Sequence, residues 1–230
     1  MSNKGRLYLV GTPIGNLGDI TLRALEILKE AEVVLCEDTR RAQKLFHRYS
    51  IETPRVSFHD FNKEQKTSAV LKKIKEGAVY ALISDAGTPG ISDPGFYLAR
   101  EALRCDLDVI SIPGPSAFLT ALVASGLATD RFTFEGFLPR RNSKRKQRLE
   151  ALREDSKTII FYESPHRIEK LLRDILEIIG DRDLCLAREL TKLHEELLRC
   201  KTSELLKRIE CNQVRLKGEM VLLLEGSRGL

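Results

Sequence analysis

The sequence predicts an α/β protein of two small domains, with a mainly parallel sheet in the first and a mixed sheet in the second. Three observations carry this reading. Short apolar runs alternate with helical periodicities through the first half of the chain, which is the pattern of crossover units on a parallel sheet. Three loops rich in Gly and Pro each follow directly on one of those runs. A Pro-Gly-Pro break at residues 113–115 then interrupts the pattern, and the texture changes beyond it. The 230 residues are enough for one large or two small domains. The break places the boundary between Ile112 and Pro115, dividing the chain into 1–113 and 114–230.

Taken in order, Arg6–Val10 reads as a strand and Thr21–Ala31 as a helix with Leu22, Leu25, Ile27 and Leu28 at helical spacing. Val33–Cys36 is a second strand. Residues 63–76 are helical, with Val70, Leu71 and Ile74 on one side, and Val79–Ser84 is a third strand. Residues 94–105 form a helix that opens at Asp93-Pro94, a capping residue before a proline at the first helical position. Leu107–Ile112 is a strand. Beyond the break come a small-residue helix at Ser116–Ser125, a strand at Phe132–Phe137 and a basic segment at Arg140–Arg148. Thr158–Tyr162 is a strand, Pro165–Ile179 a helix opened by Ser164-Pro165, and Leu184–Glu189 and Met220–Leu224 are further strands.

With 42% hydrophobic and 31% charged residues, the chain has material for a core and for a solvated surface. It holds no apolar run of about 18 residues and no signal-peptide pattern, so no membrane span is expected and a cytoplasmic location is. Five cysteines, an odd number with no C-x-x-C pair, argue against a disulfide framework. Cys36, Cys105 and Cys185 sit in apolar contexts and read as core thiols. A net charge of +5 permits an anionic partner without demanding one.

The three loops are Gly11–Asp19, Ser84–Gly95 and Pro113–Ser116. In an open parallel sheet all strand C-termini lie on one edge, where ligands bind. Glycine allows close backbone approach there and proline stiffens the loop. Ordinary tight turns are the plain alternative for one such loop. Three on one edge point to a small-molecule site. The glycines at 11, 15 and 18 do not make G-x-G-x-x-G, and no P-loop, H-E-x-x-H or G-x-S-x-G motif is present. The four histidines and five cysteines form no metal-ligand set, so no metal is expected.

The stretches LYLVGTPIGNLGDITLRAL, EDTRR, ISDAGTPGISDPG, IPGPSA, FEGFLPRR, FYESPHR, RELTKLHEE and KGEMVLLLEG run from residue 7 to residue 226. In that order they resemble the ribosomal RNA small subunit methyltransferase I family, a branch of the tetrapyrrole methylase superfamily. The resemblance implies a tetrapyrrole-methylase-like fold of two α/β domains, with S-adenosylmethionine in the cleft between them, and a homodimer. It implies 2′-O-methylation of a cytidine in 16S rRNA within the small ribosomal subunit. Carried onto this chain, it puts Pro13, Asp85, Gly87, Thr88, Ile91, Ser92, Ser116 and Ala117 in the cofactor pocket. Glu163, Ser164 and Lys217-Gly218-Glu219 lie on the second-domain side. Some family members continue past the last strand with a basic helical segment, whereas this chain ends at Leu230.

Methyl transfer from a sulfonium depends on in-line placement of the nucleophile, and placement alone is worth up to about 7–11 kcal/mol. A ribose hydroxyl is a weak nucleophile, so a base or a cation near the developing alkoxide is needed. Glu163, Glu189 and Lys192 are the catalytic candidates, with His166 and Arg167 beside them. The plain alternative for Arg167 and Glu189 is an ion pair with each other. Residues 140–148 hold six cations in nine. Arg140, Arg141, Lys144, Arg145, Lys146 and Arg148, together with Arg167, are candidate RNA-phosphate ligands, against the alternative of a solvated helix face. Arg40 and Arg41 are a second basic candidate. The chain has no Trp, which favours reading of RNA shape and backbone over base stacking. The alternative function is methylation of a tetrapyrrole or other small molecule. A third is a binding module without catalysis.

Overall fold

In the computed structural model, which describes residues 5–93 and 95–227, the chain divides into two units, Met1–Ser116 and Ala117–Leu230. The first unit runs β1 (Arg6–Val10), α1 (Leu22–Glu30), β2 (Val33–Cys36), α2 (Thr39–Arg48), β3 (Arg55–Ser57), α3 (Lys63–Lys75), β4 (Val79–Ile83), α4 (Gly95–Arg104) and β5 (Asp108–Ile112). Its sheet has the order β3-β2-β4-β1-β5, and every pairing in it is parallel. All five C-terminal ends therefore share one edge.

The strands are apolar on both faces because both faces are covered. Val10, Val34, Cys36, Ala81 and Ile83 pack with Ala24, Leu28, Ala42 and Leu45 of α1 and α2. The alternate residues Leu7, Leu35 and Leu82 pack with Val70, Leu71, Ile74, Leu98 and Ala102 of α3 and α4. The Thr21 side chain caps α1 by accepting from Ala24 N.

The second unit runs α5 (Ala117–Ser125), β6 (Phe132–Phe137), α6 (Asn142–Leu152), β7 (Thr158–Glu163), α7 (Ile168–Ile178), β8 (Asp183–Arg188), β9 (Glu196–Lys201), α8 (Thr202–Glu210) and β10 (Met220–Leu224). The sheet order is β6-β7-β10-β8-β9, parallel between β6 and β7 and antiparallel elsewhere. One face buries Ile159, Phe161, Leu184, Leu186 and Leu222 against α6, α7 and α8, and α5 packs on the other against β7, β8 and β10.

Four elements outrun the expectations: α2, β3, β9 and α8. One helix start is corrected. Ser164-Pro165 does not open α7; Ser164 O accepts from Arg167 N and Ile168 N in a turn, and the helix begins only at Ile168. Pro94, expected at the first position of α4, lies outside the described residues.

The basic segment is the first half of α6, and the helix sorts its cations. Arg145 points inward and is 3% exposed. Its Nε and its Nη2 lie 2.7 and 2.6 Å from Asp174 Oδ2, and Nη2 also donates to Asn142 Oδ1 at 2.7 Å. Arg145 is thus a cation of the fold and is withdrawn from the RNA-contacting set, because its guanidinium is already desolvated and saturated.

Removing one partner of a buried ion pair leaves an uncompensated charge, at a cost of about 3–5 kcal/mol. Arg145→Ala should lose that much in a denaturant titration, and adding Asp174→Leu should recover most of it. A loss below about 1 kcal/mol would mean that the pair is screened by solvent.

Candidate active site

The carboxyl edge of the first sheet gathers the three glycine and proline loops, because β4, β1 and β5 are neighbours. Gly11 and Gly114 meet backbone to backbone. A Cβ on Gly11 would lie 2.8 Å from Gly114 Cα, and one on Gly114 would lie 2.9 Å from Gly11 Cα. Thr12 and Gly87 exchange both backbone hydrogen bonds at 2.9 and 3.0 Å, and Gly11 N donates to Ile112 O at 3.2 Å. Thr88 Oγ1 donates to Pro115 O at 3.3 Å. Thr12 was not singled out in the sequence; a lone Thr between Gly and Pro carries no signal of that bridge.

Within the long loop, Asp93 Oδ1 accepts from Gly90 N at 2.6 Å and from Gly95 N at 2.8 Å. Burial pushes the Asp93 carboxyl up, and those backbone donors pull against it. Ser92 takes a left-handed φ of +60°, a conformation that L residues hold only when their surroundings enforce it. Asp85 is tied to the next strand: Oδ1 accepts from Asp38 N at 3.1 Å and Oδ2 pairs with Arg41 at 3.0 Å. Glu37, just past β2, is pushed up by burial and by Asp85, Asp93 and Asp60.

Gly87 has φ +84°, and a Cβ there would fill the space 3.5 Å from Ile14 Cγ2 and 3.6 Å from Pro115 O. Residues 11–19, 84–93 and 113–116 contain three aspartates and no Lys or Arg. The loops contribute carboxylates and no cation of their own, while Arg41 of α2 pairs with Asp85. Pro13, Thr88, Ile91, Ser92 and Asp85 all lie on these loops, Ser116 closes the third, and Ala117 begins α5.

The second unit has its own polar edge. Because β6, β7 and β8 run the same way and β10 runs against them, Phe137, Glu163, Arg188 and Met220 mark one end of the sheet. Glu163 is 2% exposed. Its Oε1 accepts from Ser164 N at 2.8 Å and lies 3.2 Å from Arg167 Nε, while Oε2 is buried without a partner. Arg167 also donates to Leu138 O at 2.8 Å. The alternative pairing of Arg167 with Glu189 is not formed; Glu163 holds the guanidinium instead.

Glu189 belongs to Lys192. Its Oε1 accepts from Lys192 Nζ at 2.8 Å and from Glu219 N at 3.0 Å, and Lys192 Nζ also reaches Glu219 Oε2 at 2.8 Å. Glu189 and Thr191 both take left-handed φ, +50° and +65°. Gly218 lies directly beneath the carboxylate. A Cβ at 218 would come within 2.1 Å of Glu189 Oε1, and φ there is +86°.

Of the basic candidates, Arg140, Arg141 and Lys144 are exposed and enter no ion pair among the described residues. Lys146 is held by Glu177 at 2.5 Å. Arg148 forms a bidentate pair with Glu135 at 2.7 and 2.6 Å. Both are corrected to paired cations. Among the described residues no group of three His, Cys, Asp or Glu is placed to hold a metal.

Residues 6–206 match the family model described as tetrapyrrole (corrin/porphyrin) methylases. A Thermotoga maritima protein named ribosomal RNA small subunit methyltransferase I is 46% identical over 96% of this chain and 99% of its own length. A protein of the same name from Escherichia coli O157:H7 is 45% identical over 99% of this chain and 80% of its own. In fold, the chain is similar to the crystal structure of uroporphyrin-III C-methyltransferase from Thermus thermophilus complexed with S-adenosylhomocysteine. The TM-score is 0.68 and the identity 20%, over 96% of this chain and 97% of that one.

Hydrogen bonding from Lys192 holds the Glu189 carboxyl below its ordinary 4.5, against partial burial. Partial burial opposes ionisation of Lys192, but its hydrogen bonds to Glu189 and Glu219 raise it above 10.5. A lowered carboxyl stabilises above its ordinary value and loses this as pH falls through the lowered one. A raised amine stabilises below its ordinary value and loses this as pH rises through the raised one. The pair is therefore intact from 4.5 to 10.5. Lys192→Met should move the Glu189 titration upward, read by carboxyl-carbon NMR. An unmoved titration would show that backbone donation from Glu219 alone sets it.

Proposed function

The chain belongs to the tetrapyrrole methylase family and, within it, to the ribosomal RNA small subunit methyltransferase I family, and from that premise we propose that it methylates a cytidine ribose 2′-oxygen in 16S rRNA of the small ribosomal subunit, using S-adenosylmethionine. The observation that carries this is identity of 45–46% across nearly the whole chain to relatives named ribosomal RNA small subunit methyltransferase I. The glycine loops add a physical argument, since three loops locked together at strand C-termini, with Gly11 against Gly114, suit a small-molecule ligand at that edge. Tetrapyrrole methylation is the second reading, supported by the similarity in fold to the uroporphyrin enzyme; at 20% identity that likeness speaks for fold alone.

S-adenosylmethionine, when bound, supplies a methyl group on a good leaving group. Pro13, Asp85, Gly87, Thr88, Ile91, Ser92, Ser116 and Ala117 bind and orient it. Lys192, fixed by Glu189 and Glu219, stabilises negative charge developing on the attacking oxygen. Glu163 is the better proton acceptor, because its Oε2 has no partner while Glu189 is committed to Lys192. Glu189 is a positioning residue. Arg140, Arg141 and Lys144 take RNA phosphates, with Arg40 and Arg41 as further cations. The reading includes a homodimer and a cytoplasmic location. Leu119 and Val123, one turn apart on α5 and exposed, are apolar surface that a second copy would cover, and the mass in solution tests the dimer. No helix among the described residues is long and apolar enough to cross a membrane.

Labelled methyl transfer to small subunits lacking the modification, with free 16S rRNA and a tetrapyrrole precursor as parallel acceptors, tests the function. Label recovered as a 2′-O-methyl nucleotide is the expected result; label only in the tetrapyrrole would install the second reading. Lys192→Met should lower kcat by about 10²–10³ with little change in KM. Joint replacement of Arg140, Arg141 and Lys144 by Ala should flatten the dependence of log affinity on log salt by about 2–3, near 0.7–0.9 per lost phosphate contact. An unchanged slope would remove this segment from the RNA footprint.

A further inference from the structure

Beside the loops that follow β3 and β4 lies a hollow that shares only Ser92 with the residues proposed to hold the cofactor. It has a volume of about 440 Å³ and is lined by Asp60, Lys63, Ser92, Asp93, Phe96, Tyr97 and Arg100, within the range of about 300–1,000 Å³ usual for small-ligand sites. Lys63 opens α3, and the aromatic residues lie in the first turn of α4. The Arg100 guanidinium sits 5.5 Å from the Phe96 ring centroid and 5.4 Å from that of Tyr97, and Lys63 Nζ sits 5.6 Å from the Tyr97 centroid. Phe96 is 60% exposed, and Phe61, next to Asp60, is 99% exposed. Phe61 makes a T-shaped contact with His59, at 6.1 Å between centroids.

We propose that this hollow is a stacking site for an unpaired nucleobase of the RNA substrate, with Phe96 as the platform and Arg100 as the cation against its ring; it rests on the rRNA reading above. The charges argue for a base and against a phosphate. Two carboxylates and two cations line the hollow, and Lys63 and Arg100 are already neutralised by Asp60 at 2.7 Å and Glu101 at 3.0 Å. Open aromatic faces remain, and stacking on such faces is how single-stranded RNA is held without regard to sequence. Cations against the rings strengthen the platform. The hollow shares Ser92 with the loop proposed to hold the cofactor, so a base seated there flanks the modified nucleotide.

Because the chain has no Trp, Phe96→Trp adds a single fluorescent reporter at the hollow. Titration with a single-stranded RNA decamer should quench it saturably. The same decamer with abasic positions should quench less, and inorganic tripolyphosphate should not quench. Phe96→Ala should weaken binding to small subunits about 5- to 100-fold and leave the salt slope unchanged, unlike the Arg140, Arg141 and Lys144 variant. Circular dichroism checks that these variants fold. An unmoved Trp spectrum, or unchanged affinity of the folded Ala variant, overturns the stacking site. Failure of the rRNA reading would show instead in the methyl-transfer assay of the unaltered chain.

Discussion

The contact of Gly11 with Gly114 is the constraint on which the first unit's edge depends. β1 lies between β4 and β5, so its exit must pass between two other loops without spreading them. Any side chain at either glycine would force backbone against backbone at under 3 Å, which no rotamer change relieves. With that approach fixed, Thr12 reaches Gly87 on the other side, and Thr88 bonds across to Pro115. The three loops become one surface whose groups are placed before any ligand arrives, and such preorganisation is what binding and catalysis draw on.

A run of like charges in a sequence is not one surface. Helical geometry on α6 turns Arg145 to the core and gives Lys146 and Arg148 to acidic neighbours, leaving Arg140, Arg141 and Lys144 to solvent. The sorting follows from what each position faces. Asp174 of α7 is buried and requires a cation, and the guanidinium meets that need with several directed donors. Among the described residues the cations of the segment without an acidic partner are therefore concentrated at its N-terminal end, next to the end of β6. The same polar edge of the second sheet carries Glu163 and Arg188.

The alternating strands of the first unit were legible because both faces of a parallel sheet are buried, so the runs are continuous and bounded by glycine. The site loops were legible for the same reason. α2 was not, because its sequence TRRAQKLFHR is dominated by charge and only Ala42, Leu45 and Phe46 face inward. β9 was missed because ELLRCK is an edge strand with half-buried side chains. The false start of α7 came from reading Ser164-Pro165 as a local cap. A long-range demand won, since Glu163 takes Ser164 N–H and the Arg167 guanidinium and folds the segment into a turn. No local pattern reveals which of two carboxylates is spoken for, and only the partners of Glu163 and Glu189 distinguish them.

That distinction decides the division of labour at the second edge. Glu189 and Thr191 hold left-handed backbone that costs on the order of 1–3 kcal/mol each, and Gly218 gives up its side chain to make room. Structure that costly is kept where a group must be held in one place, and the group held is the Lys192 ammonium. A carboxylate so engaged is held below its ordinary range, chiefly by the hydrogen bond from Lys192. Glu163 presents the opposite case: one oxygen is anchored and the other is buried with its acceptor capacity unspent. Thr191 Oγ1, beside Glu189, is likewise buried without a hydrogen-bond partner, so the second edge holds unspent polar capacity at both carboxylates' neighbourhoods.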